Sequence, residues 1–160
     1  MKIISIDPGY ERVGIAILEK NPGDKKETVM YSECFKTSAK IPFQERLLLI
    51  GEHLEKIIKK YKPENMAIEK LFFENNQKTA MGVSEARGVI IYICKKNKIN
   101  VFEYTPLQIK SAVTGYGKAD KGMVMDMVPK LVFMKKETKS DDELDAVAIG
   151  ITCIASEKLS

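Results

Sequence analysis

Residues 2–19 read KIISIDPGYERVGIAILE: two β-branched, apolar runs, Lys2–Asp7 and Arg12–Glu19, around the turn-rich spacer Pro8-Gly9-Tyr10-Glu11. That pattern predicts a β-hairpin. A second turn signal, Asn21-Pro22-Gly23-Asp24, leads into a third predicted strand, Thr28–Phe35. Three antiparallel strands in a meander therefore open the chain. The apolar period then changes. Between Pro42 and Tyr61, residues Leu47, Leu48, Ile50, Leu54, Ile57 and Ile58 recur at helical spacing, and Lys62-Pro63 stops the helix. Asn65–Glu69 reads as a short strand, Gln77–Lys96 as a long helix, and Asn100–Tyr104 as a strand again. Pro106 suits the first turn of a further helix, which Gly115-Tyr116-Gly117 ends, and two more helices are expected near Lys121–Phe133 and Asp141–Ser156. Three strands followed by alternating helix and strand imply an α/β fold: a five-stranded mixed sheet, three strands antiparallel and then two parallel, flanked by helices.

With 160 residues, no internal repeat and no long linker, the chain is expected to form a single domain over residues 1–160. Hydrophobic residues make up 44% and charged residues 30%, enough apolar material for a core and against disorder of the whole. No run of eighteen apolar residues is present, and Asp7 and Glu11 interrupt any signal-peptide core, so neither a membrane span nor export is expected. Cys34, Cys94 and Cys153 are widely spaced, share no metal-ligand spacing and read as buried thiols of a reducing compartment, the cytoplasm. The net charge of +4 is concentrated: residues 110–139 hold seven lysines and three acids, and the rest of the chain balances at 19 basic against 19 acidic residues. Such a stretch is either the footprint of a polyanion or a solvated lysine-rich face.

Three acidic positions stand out against their surroundings. Asp7 ends the run Ile3-Ile4-Ser5-Ile6; Asp before Pro-Gly is also ordinary turn chemistry. Glu69 ends Met66-Ala67-Ile68 and precedes Leu71-Phe72-Phe73, where a carboxylate carries a desolvation cost unless a cation such as Lys70 meets it. In Ser140-Asp141-Asp142-Glu143-Leu144-Asp145, Ser140 and Glu143 match a capping box, and first-turn acids favour the helix dipole. That accounts poorly for Asp145, which shares a face with Ala148, Ile149 and Thr152 and lies three residues from Asp142. Parallel neighbouring strands would bring Asp7 and Glu69 to one end of the sheet, and a packed C-terminal helix would bring Asp142 and Asp145 there. Four converging carboxylates need cations; hard oxygen donors select magnesium or manganese, and the chemistry suited to such a site is two-metal displacement at a phosphodiester.

In their order and spacing these residues resemble the RuvC family of Holliday-junction resolvases, within the RNase H-like superfamily, over nearly the whole chain. The resemblance is carried by Ile6-Asp7-Pro8-Gly9 with Gly14, Ala67-Ile68-Glu69-Lys70-Leu71-Phe72, Glu85-Ala86-Arg87-Gly88, Val101-Phe102-Glu103-Tyr104 and Asp142-Glu143-Leu144-Asp145-Ala146-Val147-Ala148-Ile149. It implies an RNase H-like fold and assigns the catalytic, metal-holding carboxylates to Asp7, Glu69, Asp142 and Asp145. Some family members carry His where this chain has Asp142. Asp141 offers a competing register, but the spacing to Asp145 selects Asp142. Phe72 corresponds to the family's aromatic that stacks on an unpaired base, with Phe73 as the second candidate. Lys110 and Lys121 match basic positions beside the site, and Lys118 adds a loop charge that is either solvated or on phosphate.

What the resemblance implies is a nuclease that nicks two strands of like polarity in a four-way DNA junction, leaving 5′-phosphate and 3′-hydroxyl ends, with two Mg²⁺ per site and Mn²⁺ as a substitute. Asp7 would bridge the two ions, one activating water and the other stabilising the leaving oxygen. The implied partners are junction DNA, a second copy of the chain through the helix at 77–96, where Arg87 would be structural, and a RuvA–RuvB branch-migration complex. The interface candidates on that helix are Ala80, Met81, Val83, Ala86, Val89 and Ile90. His53 is assigned no catalytic role. The competing readings are a junction-binding module without catalysis, an RNase H-like nuclease for another branched or hybrid nucleic acid, and a phosphotransferase with an Asp-x-Gly phosphate turn, for which 160 residues leave no second lobe.

Overall fold

The computed structural model describes residues 1–71, 77–135, 138 and 140–157. Strands β1 (Lys2–Asp7), β2 (Arg12–Glu19) and β3 (Thr28–Lys36) form the expected meander. They are followed by α1 (Phe43–Tyr61), β4 (Asn65–Glu69), α2 (Gln77–Lys96), β5 (Asn100–Tyr104), α3 (Pro106–Thr114), α4 (Lys121–Leu131), β6 (Phe133–Met134) and α5 (Asp141–Ser156). The sheet runs β5-β4-β1-β2-β3-β6. β1 pairs antiparallel with β2 and parallel with β4, and β4 pairs parallel with β5. The five expected strands are joined by a sixth, because the chain leaves helical geometry at Val132 and Phe133–Met134 add in parallel to Thr28–Val29 at the β3 edge. A two-residue strand is too short to show a period, so the sequence had given Phe133 to the preceding helix.

Alternation across the sheet sorts its side chains into two layers. Ile4 and Ile6 of β1, Val13, Ile15 and Ile17 of β2, and Met66 and Ile68 of β4 face α1 and α2, meeting Ile50, Leu54, Ile57, Ile58, Ala86 and Ile90. On the other face Ile3, Ala16, Leu18 and Ala67 meet α3, α4 and the apolar side of α5. Of the residues expected on the inner stripe of α1, Leu48 is 54% exposed; it projects away from the line made by Ile50, Leu54 and Ile57. His53, also on α1, stacks on Phe35 with ring centres 4.1 Å apart and bonds Glu33. The capping box at α5 is half formed: Ser140 Oγ accepts from the Glu143 amide at 3.4 Å, while the Glu143 carboxylate turns to β3 and accepts from Ser32 Oγ at 2.7 Å. A full capping box stands instead at α3, between Thr105 and Gln108.

α5 lies close on β1 and β2 because the facing positions are small. A Cβ on Gly150 would stand 2.5 Å from Leu18 Cδ1 and 2.8 Å from Ser5 Oγ, both fully buried side chains with little room to move. Among the described residues no helix is long and apolar enough to cross a membrane. Gly150→Val should overpack this contact and cost about 1–3 kcal/mol of stability, read as a lower urea midpoint with an unchanged m-value.

Candidate active site

The layer assignment that buries Ile3 and Ala67 also sends Asp7 and Glu69 to the α5 side, since each lies an even number of residues along its strand. Ile6 is level with Ile68 in the parallel pairing of β1 and β4, so Asp7 and Glu69 leave the sheet side by side at its C-terminal end. The first turn of α5 comes down on the same end. Gly14 of β2, the register partner of Asp7, makes this approach possible: a Cβ there would lie 2.1 Å from the Asp142 carbonyl oxygen and 3.1 Å from Asp7 Cβ. Gly14 is thus the opening through which Asp142 reaches Asp7.

The acids feel one another strongly. Burial pushes the Asp7 carboxyl up to about 7, and the charges of Asp145, Glu69 and Asp142 add to it against Lys121. Burial likewise raises Glu69, with Asp145 contributing and the nearby Lys110 opposing. Asp145 is also raised by burial, against the pull of Lys121. Asp142 moves the other way: burial opposes its charge, but hydrogen bonds from Arg12 and Cys34 and the Arg12 charge outweigh that cost. Asp141 is exposed at the rim, where Lys121 Nζ lies 3.4 Å from its carboxylate and 3.4 Å from that of Asp145. Among the described residues no three of these side chains are gathered tightly enough to share one ion, with Arg12 engaging Asp142 and Lys121 engaging Asp145. The donor set nevertheless fits a hard divalent cation. Four carboxylates are directed to one sheet end, and ionisation of the innermost, Asp7, is disfavoured chiefly by burial and further by the neighbouring charges.

Lys110 of α3 and Lys121 at the start of α4 both border the acids, and with Pro106, Ile109, Val124, Asp145, Ala148 and Ile149 they line a cavity of about 210 Å³. Lys118 is exposed in the loop between α3 and α4, and among the described residues its side chain meets none of the acids. Phe72 and Phe73, expected to stack on DNA, lie outside the described residues.

Three contacts at the site were not anticipated. Arg12, the first residue of β2, donates from Nε at 2.9 Å and also from Nη2 to Asp142 Oδ2. Cys34, expected to be buried, is half-buried on β3 with its thiol 3.4 Å from the same oxygen; Cys94 and Cys153 are buried as expected. Arg87 of α2 donates to the Glu69 backbone carbonyl at 3.2 Å and pairs with Glu103 of β5, so it steadies the strand end that carries Glu69. A signal for two of these lay in the composition. Only three of the 26 basic residues are arginine, and the third, Arg46, is buried, bonded to Thr37 at 2.9 Å and stacked 5.0 Å from the Tyr10 ring in the turn after Asp7.

Comparison with known proteins decides the family. The family model described as crossover junction endodeoxyribonuclease RuvC matches residues 3–153. The chain belongs to the RuvC family. Relatives of that name from Caldicellulosiruptor saccharolyticus and Fusobacterium nucleatum are 41% and 45% identical over 156 residues, 98% of this chain and 93% and 81% of theirs. Among solved structures, T. thermophilus RuvC in complex with Holliday junction substrate superposes with a TM-score of 0.89 at 29% identity, over 97% of this chain and 93% of that one. The fold is shared more distantly by the fowlpox virus resolvase, at a TM-score of 0.64 and 16% identity over 97% of this chain and 99% of that one. RuvC-family nucleases are metal-dependent, in keeping with the oxygen-rich site described above.

The raised Asp7 carboxyl has a consequence for stability. Against an unfolded value of 3.8, a folded value of about 7 imposes no penalty below about pH 4 and destabilises the metal-free fold progressively as pH rises through 7. Asp7→Asn should therefore stabilise the protein in EDTA at pH 8 by an amount on the order of a few kcal/mol, and change it little at pH 4, as followed by thermal melts.

Proposed function

We propose that residues 1–160 form one nuclease domain that resolves four-way DNA junctions by nicking two strands of like polarity. The observation that carries this reading is the meeting of Asp7 and Glu69, from adjacent parallel strands, with Asp142 and Asp145 from the helix packed over them. Family membership and the likeness to a RuvC solved with its junction support the substrate.

Asp7, Glu69, Asp142 and Asp145 would hold divalent ions, two Mg²⁺ with Mn²⁺ as a substitute, which when bound supply Lewis acidity at the scissile phosphodiester. Lys110 and Lys121, at the rim beside the acids, offset the negative charge that the DNA strand brings. Water attacks phosphorus, the bond to the 3′ oxygen breaks, and the products are a 5′-phosphate and a 3′-hydroxyl. Arg87 and Gly14 act through others, the first on the strand end at Glu69, the second by admitting Asp142. Phe72 and Phe73 follow Glu69 in the chain and are our candidates for stacking on bases at the crossover; Lys118 is a further phosphate contact. Because its substrate is DNA, we place the protein in the cytoplasm, working with a RuvA–RuvB complex.

Two symmetric nicks call for two sites related by a twofold axis. On α2, Ala86 and Ile90 are consumed by the core, but Met81 and Tyr92 are each 65% exposed, and the space beside Gly88 is open. These three lie at i, i+7 and i+11, one stripe of the helix, and are the proposed dimer seam.

On an end-labelled mobile junction with Mg²⁺, the wild type should give paired symmetric nicks, and Asp7→Asn should lose activity by about a thousandfold or more while still binding the junction. Junction binding without cleavage in any divalent metal would instead identify a binding module. Tyr92→Glu should shift the protein from dimer to monomer by light scattering and uncouple the two nicks, with an unchanged circular dichroism spectrum.

A further inference from the structure

Arg12 and Cys34 converge on a single oxygen of the site. Asp142 Oδ2 accepts from Arg12 Nε at 2.9 Å and from Arg12 Nη2, and lies 3.4 Å from the Cys34 thiol. An oxygen so occupied has no lone pair left for a further ligand. The arginine is the more removable of the two partners. It opens β2 directly after the turn Pro8–Glu11, and its side chain is half exposed, whereas the Asp142 side chain is mostly covered. Lys121 stands in the same relation to Asp145. The cations of the rim are thus engaged with the acids that, on the reading given above, hold the metal.

Asp142 Oδ1 is left open, and a divalent ion taken up there would loosen the pair on Oδ2. The ion draws on the same negative charge that holds the guanidinium, and the two cations repel each other. Once Asp142 has exchanged partners, Arg12 is an unpaired guanidinium at the mouth of a DNA-cutting site. Its planar fork, already presenting two donors to one carboxylate oxygen, suits the oxygens of a phosphate equally well.

We infer that Arg12 is a phosphate-binding residue of the site, held on Asp142 until metal is present and then transferred to the DNA backbone. This inference rests on the proposed metal-dependent nuclease reading. It makes metal and DNA binding mutually reinforcing, since both draw on the state in which Arg12 and Asp142 are apart. It also means that Arg12 weakens metal binding when no DNA is there.

The test uses the full chain as wild type, Arg12→Gln and Arg12→Lys. Mn²⁺ binding without DNA, followed by electron paramagnetic resonance, should be roughly threefold to tenfold tighter in Arg12→Gln, with Arg12→Lys nearer the wild type. Four-way junction binding in Ca²⁺ should be weaker in Arg12→Gln, and the slope of log affinity against log salt should fall by about one. In EDTA the two proteins should bind the junction alike, because there Arg12 is already engaged. Equal or weaker Mn²⁺ binding in Arg12→Gln overturns the inference, and so does an equal loss of junction affinity with and without Ca²⁺. If instead the wild type binds Mn²⁺ no better than Asp7→Asn, the nuclease reading itself has failed and takes this inference with it.

Discussion

How near a helix can come to a sheet is set by the side chains between them, and here that distance decides whether four acids meet. α5 supplies two carboxylates, and β1 and β4 supply two more. They share a space only because Ser5, Gly14, Ala16 and Ala67 leave the sheet nearly bare where α5 crosses it, and because Gly150 leaves the helix bare where it meets Leu18. The remaining helices serve this contact. α1 and α2 close the opposite face so that β1 and β4 are buried on both sides and held in register, and α3 and α4 flank α5. Arg46 and Arg87 fix the two connections that carry Asp7 and Glu69, one through Tyr10 and the other through the Glu69 carbonyl.

Close packing of that kind would ordinarily be stabilising, but here it concentrates like charge. The fold tolerates this through neighbours of opposite sign at the rim and through incomplete ionisation of the innermost acid. Both relieve the like charge of the metal-free fold, and on the proposed reading a divalent ion would replace them. Stability is thereby lost where like charges are gathered, as is common at functional sites.

Much of this was legible in the sequence for a local reason. The meander is announced by two turn signals between apolar runs, α1 by its helical period, α3 by Pro106 and the glycines that end it, and the placing of Asp7 and Glu69 follows from where their strands stop. Asp145 was legible because it breaks an apolar helix face. What stayed hidden depends on partners far away in the chain. Arg12 meets Asp142 across 130 positions, and Glu143 abandons its cap for Ser32 across 111. No local pattern encodes such a choice. β6 was hidden for a different reason: two residues gain their strand geometry from the edge of β3 and not from any alternation of their own. Leu48 shows the converse, an apolar residue in a helical pattern that the pattern alone cannot assign to core or surface.

The order of elements along the chain carries one more consequence. Asp7 is made within the first strand and Glu69 with the fourth, but Asp142 and Asp145 arrive on α5, after every strand of the sheet has been synthesised. The growing chain can pair its strands and cover one face while its acids are still apart and their repulsion is not yet felt. Of the described helices α5 is the last in the chain, and it is the one that brings in the electrostatic burden. Assembly of the sheet is thereby separated in time from assembly of the acidic cluster.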